Sequence, residues 1–147
     1  MGYFSSLDIS SSALTAQRLR MDTISQNIAN VNTTRTENGQ PYRRKTVLFE
    51  EKSSTGSFSE YLESSMRGKN AGAGVRVTGI VEDTSPFKRV YDPGHPDADE
   101  EGYVLMPNVD VITEMVNMIS ATRAYEANIT SINTTKGMAM KALEIGR

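Results

Sequence analysis

The chain has 147 residues, 37% hydrophobic and 7% aromatic with no Trp, which suits one domain with a modest core or a thin one burying surface against other chains. A net charge of −2 gives no basic footprint for nucleic acid. The lack of Cys excludes disulfides and thiolate-bound metal, and leaves the redox compartment unreadable.

The opening segment MGYFSSLDISSSALTAQ has no cation before Arg18 and no unbroken apolar run, so it does not read as a secretory signal. No stretch approaches the ~18 apolar residues of a membrane span. The expectation is a cytoplasmic protein, or one that leaves by a route needing no cleaved signal.

Leu7, Leu14, Met21 and Ile28 recur every seven residues, with Ile24 and Val31 three beyond the last two. This predicts a helix over Ser5–Asn30 with one narrow apolar stripe, broken by polar Ser10 and Gln17. Ser5 and Ser6 are candidate N-caps, and Asp8 suits the positive end of the helix dipole. The stretch that follows, SQNIANVNTTRT, is rich in amides and hydroxyls that compete with the helix for backbone bonds. Asn27, Asn30 and Asn32 read here as candidates for local caps and turn starters.

The period then changes. Short β-prone runs lie at 42–50, 75–81, 87–92 and 103–106, bounded by ENGQP, GKNAGAG, DTSP and DPGHPDADEEG. They predict a small sheet or ribbon, with a helical turn at SFSEYLESSM. The helical period returns after Pro107 and Asn108, the candidate cap, with Asp110 and Glu114 in the opening turn. Val111, Met118, Tyr125, Ile132 and Ala139 form one seven-residue row, Met115, Ile129 and Leu143 lie beside it, and Ile112, Val116 and Ile119 broaden the face. Arg123 and Glu126 are spaced to pair on the surface beside Tyr125, and Asn128 sits near the seam, where an amide serves register more than stability.

The fold class that emerges is α+β. Two long terminal helices, in residues 1–34 and 108–147, pair as a coiled-coil-like hairpin around a small β-rich insert, 35–107. So little sheet cannot cover both seams, so the leftover apolar surface predicts self-assembly or a partner helix.

Chemistry-bearing clusters are weak. His95, the only histidine, lies among Asp92, Asp97, Asp99, Glu100 and Glu101 in a Pro- and Gly-punctuated turn, with Asp spacing that matches no EF-hand. GKNAGAGVRVTG lacks both phosphate-loop patterns, and YRRK (42–45) reads as a charged edge strand. No nucleophile, base and orienting group can be assembled, so neither a catalytic residue nor a cofactor, metal or small-molecule substrate is expected.

The motifs do converge on a family. SSALTAQRLRMDTISQNIANVNTTRT resembles the N-terminal signature of bacterial flagellar axial proteins, whose core element falls on Asn27–Thr33. The stretches PYRRKTVLFEE, GVRVTGIVEDTSPFKRVYDPGHPDADEEGYVLMPNVDV and EMVNMISATRAYEANITSINTTKGMAMKALEIG look like the proximal-rod members. The resemblance covers essentially the whole chain. It implies a structural subunit of the basal-body rod, exported by the flagellar type III apparatus. It also implies contact with copies of itself, other rod proteins and the membrane-ring and rod-adaptor proteins, and terminal helices that are disordered in the monomer. Assembly residues expected on this reading are Leu7, Leu14, Met21, Asn27, Ile28, Asn30, Asn32, Met118, Arg123, Tyr125, Glu126, Asn128 and Ile132. The alternative is an adaptor whose helical hairpin binds one partner helix; a hydrolase built on His95 ranks third.

Overall fold

The computed structural model describes residues 3–52 and 74–146; the turn anticipated at SFSEYLESSM lies outside them. In chain order the elements are α1 (Tyr3–Ala29), β1 (Lys45–Glu51), β2 (Val75–Glu82), β3 (Lys88–Tyr91), β4 (Tyr103–Met106) and α2 (Val111–Ile145). Two long helices thus bracket a β-rich middle of two two-stranded sheets, β1 with β2 and β3 with β4. The helices, of 27 and 35 residues, span about 40 and 52 Å at ~1.5 Å per residue. No helix among the described residues is long and apolar enough to cross a membrane.

The chain forms two compact units. One comprises Met1–Arg18, Phe49–Thr78 and Arg123–Arg147; the other comprises Leu19–Leu48 and Gly79–Thr122. In the first, the Ser12 hydroxyl donates to Ile9 O (2.7 Å) and accepts the Val75 amide (3.1 Å), which fixes the entry to β2 against α1. Gly74 makes that approach possible: it has φ +108°, and a Cβ there would run into Ser12 Oγ. Beside it the Lys52 amide donates to Gly74 O, at 2.8 Å.

The second unit holds most of the buried residues. Ile24, Tyr42, Val47, Val104, Val109 and Ala121 are its apolar core. β3 and β4 pair antiparallel with Lys88 opposite Met106 and Tyr91 opposite Tyr103. Alternation puts Val104 inward, whereas Tyr91 and Tyr103 meet edge to face on the solvent side, centroids 5.3 Å apart. Asp110, not Asn108, caps α2: its carboxylate accepts from the Thr113 hydroxyl (2.5 Å) and amide (3.2 Å).

Several sequence expectations shift here. α1 starts at Tyr3, so Ser5 and Ser6 lie inside the helix rather than at its cap. The row Leu7, Leu14, Met21 and Ile28 is only half-buried, while Ser10, Ala16, Thr23 and Asn27 are the buried α1 positions along with Ile24. Small and polar side chains let a helix approach its neighbours closely, so they occupy the innermost positions and the larger apolar ones flank them. In α2 the inward positions are Glu114 and Ala121, with Met118, Tyr125, Ile132 and Ala139 half-buried. Ile112, Val116 and Ile119, expected to broaden the buried face, point outward, because at ~100° per residue they lie roughly opposite Glu114.

Candidate assembly site

Among the described residues, the second unit holds a polar network built on a fully buried amide and a fully buried carboxylate. Asn27 uses its entire hydrogen-bonding capacity. Its Nδ2 donates to Lys45 O and to Glu114 Oε2, both at 2.8 Å, and its Oδ1 accepts from the Lys45 amide (2.9 Å) and the Tyr42 hydroxyl (3.0 Å). The side chain pairs with both backbone groups of Lys45, as a neighbouring strand would, at the first residue of β1.

Glu114, in the first turn of α2, completes the network. Its Oε1 accepts from Arg44 Nε (2.9 Å) and lies 2.9 Å from Nη2, while Oε2 takes the Asn27 amide. Glu114 is 0% exposed, so this ion pair is well shielded from solvent on the carboxylate side. Arg44 also reaches Asp83 Oδ2 at 3.5 Å through Nη1. Its backbone amide donates to Asn108 Oδ1 (2.8 Å), and Asn108 Nδ2 returns a bond to Asp83 O (3.1 Å). Burial pushes the Tyr42 phenol above its ordinary range, helped by the nearby charges of Glu82 and Glu114. Two hydrogen bonds from Ser85, hydroxyl and amide, hold the Asp83 carboxyl below its ordinary range.

Within this unit the end of α1 and the start of α2 run side by side in opposite directions. Asn27 meets Glu114, and nearly two turns away Thr122 Oγ1 lies 3.6 Å from Met21 Sδ. On its outer side α2 carries an unpartnered apolar stripe: Ile112 is 74% exposed, Met115 55%, Val116 61% and Ile119 58%.

The remaining sequence candidates have quieter settings. Asn30 caps locally, donating to Gln26 O at 2.9 Å and accepting from the Thr33 hydroxyl at 3.1 Å. Asn32 is exposed. Asn128 donates back along its own helix to Ala124 O at 2.8 Å, and Arg123 and Glu126 are both exposed. YRRK is not simply an edge: Tyr42 and Arg44 turn into the network, and Arg43 lies 4.3 Å from the Phe87 ring. His95 is tied into its turn, its Nδ1 accepting the Asp97 amide at 3.1 Å, and Asp97 accepts from Thr34 Oγ1 at 2.8 Å. Among the described residues no three His, Asp or Glu side chains gather into a metal-holding group. Sequence reasoning missed Arg44, Tyr42 and Glu114 as network members, because their meeting depends on packing 15 to 87 positions apart along the chain.

Residues 7–35 match the family described as flagella basal body rod protein, and residues 100–145 match the flagellar basal body rod FlgEFG protein C-terminal family. The chain is 57% identical to the flagellar basal-body rod protein FlgC of Bacillus subtilis (strain 168) over 152 aligned positions, covering 100% of both chains. It is 51% identical to FlgC of Borreliella burgdorferi, covering 99% of this chain and 98% of that one. The chain belongs to the FlgC family of flagellar basal-body rod proteins. FlgC of Escherichia coli O6:H1 is 42% identical over the full length of both. The FlgC-family assignment makes this a structural subunit of the flagellar basal-body rod and not an enzyme. The network joins segments from both matched regions, since Asn27 lies in the N-terminal one and Glu114 in the C-terminal one.

Proposed function

We propose that the chain polymerises in the proximal part of the rod with copies of itself and with other rod proteins. Residues 1–34 and 108–147 form the inner helical layer in this reading, and 35–107 form a β-rich region around it. The observation that carries it is the outward apolar stripe of α2, Ile112, Met115, Val116 and Ile119. Contiguous exposed apolar side chains on one helix face mark an interaction surface in a soluble subunit. The half-buried rows Leu7, Leu14, Met21 and Ile28, and Met118, Tyr125 and Ile132, supply coiled-coil-like packing between terminal helices once neighbours are present. Arg123, Glu126 and Asn128 line the same helix, and Asn32 is free to face a neighbour. Membrane-ring and rod-adaptor proteins and the flagellar type III export apparatus complete the set of partners in this reading.

Ile112→Asp with Ile119→Asp tests this directly. Both side chains are exposed, so the monomer should keep its melting behaviour, with a change within about 0.5 kcal/mol. A cell carrying only the double variant should build no rods and not swim. Normal rods seen by electron microscopy would show that the stripe faces solvent in the assembly.

A further inference from the structure

A buried ion pair is an inefficient way to stabilise packed segments, because apolar side chains of similar volume are often as good or better. An apolar contact cannot, however, refuse a neighbouring alignment, since a heptad pattern presents much the same face seven residues on. α2 carries that ambiguity in its row at 111, 118, 125, 132 and 139. Glu114 removes it. Its two oxygens are committed to different segments, Oε2 to Asn27 at the end of α1 and Oε1 to Arg44 just before β1. A slip of one heptad moves Glu114 by about 10 Å along the helix, out of reach of both. That slip would strand a fully buried carboxylate and one N–H of the Asn27 amide, and would leave Arg44 only its longer contact to Asp83 among carboxylates.

We infer that Asn27, Arg44 and Glu114 form a register lock, which makes the alignment of α2 against the end of α1 unique rather than adding net stability. The lock also sets how α2 presents Ile112, Met115, Val116 and Ile119; this last step rests on the assembly reading above, while the register does not.

The chain has no Cys, so introduced thiols report cleanly. A native-register pair, Met21→Cys with Thr122→Cys, uses side chains in contact at 3.6 Å. A shifted pair, Met21→Cys with Met115→Cys, reports a one-heptad slip. Both are placed in the full-length chain with and without the apolar double replacement Arg44→Met and Glu114→Leu, which leaves Asn27 bonded to Lys45 and Tyr42, and are joined with a short thiol cross-linker. The double-replacement variant should melt near the parent temperature. Its native-pair cross-linking should slow by roughly three-fold or more as the shifted pair gains, as follows when registers share the population. Glu114→Gln, which keeps the side-chain shape, should fall between the two. An unchanged ratio of native to shifted cross-links in the double-replacement variant overturns the lock. So does a double-replacement variant that unfolds, or a Glu114→Gln chain that melts lower with its register intact, since either makes the network a stabilising element. Loosened register with normal rods and swimming leaves the lock standing and overturns the presentation of the stripe.

Discussion

Asn27 shows how far a residue's meaning depends on what surrounds it. On helix propensity, replacing it with Ala favours the helix by up to roughly 0.7 kcal/mol. In the folded chain the same change strands the Lys45 amide and carbonyl, the Tyr42 hydroxyl and one Glu114 oxygen. Each buried group left unmet costs about 1–3 kcal/mol, so Asn27→Ala should destabilise the monomer by about 3 kcal/mol or more in urea titrations. Asn30→Ala loses only two bonds within one turn and should stay within about 1 kcal/mol. Equal effects of the two would mean that Asn27 is no more than a cap. Gly74 gives a second residue-scale test. Ala there meets both a left-handed backbone and an engaged Ser12 hydroxyl, so Gly74→Ala should cost about 1–3 kcal/mol in the same titration, against a few tenths for a change at open Gly39's neighbour Asn38.

At the scale of elements, periodicity located the described helices and strands to within a few residues, because those patterns are local. It misjudged which face is innermost. An apolar row reads as the buried centre, but α1 buries Ser10, Ala16, Thr23 and Asn27 beside Ile24, where small size and internal bonds decide; Thr23, for instance, donates to Leu19 O at 2.9 Å. The amide-rich stretch was legible as significant, yet its chief partner, Glu114, was read only as a helix-opening acid. Nothing local says that a residue 87 positions away completes Asn27. The cap of α2 carries a pH prediction. Hydrogen bonds from Thr113 hold the Asp110 carboxyl below its ordinary range. A depressed folded value contributes stability that is present above the unfolded value near 3.9 and is lost as pH falls through the folded one. The stability advantage of wild type over Asp110→Asn should therefore shrink between about pH 5 and pH 2, as read by denaturant midpoints. A constant difference across that range would assign the cap no linked proton.

At the scale of the molecule, the two units are unequally furnished. Among the described residues, the unit made of Leu19–Leu48 and Gly79–Thr122 holds the polar network and nearly all the buried apolar side chains; the other buries Ser10 and Ala16. Toward its end α2 is nearly bare: Met138 is 60% exposed, Leu143 76% and Ile145 84%. Helical segments of this kind, without an apolar face buried against something, are marginal in water, because propagation barely offsets nucleation. Local opening should therefore begin at both chain ends and spare the network. Hydrogen exchange on dilute monomer should show residues 19–29 and 111–122 protected well above 5–18 and 130–145. In assembled rods the difference should vanish, as neighbours cover what the monomer leaves in water. Uniform strong protection along both helices of the monomer would mean that the chain already closes its own seams. The apolar surface carried by α2 would then need a role other than binding the next subunit.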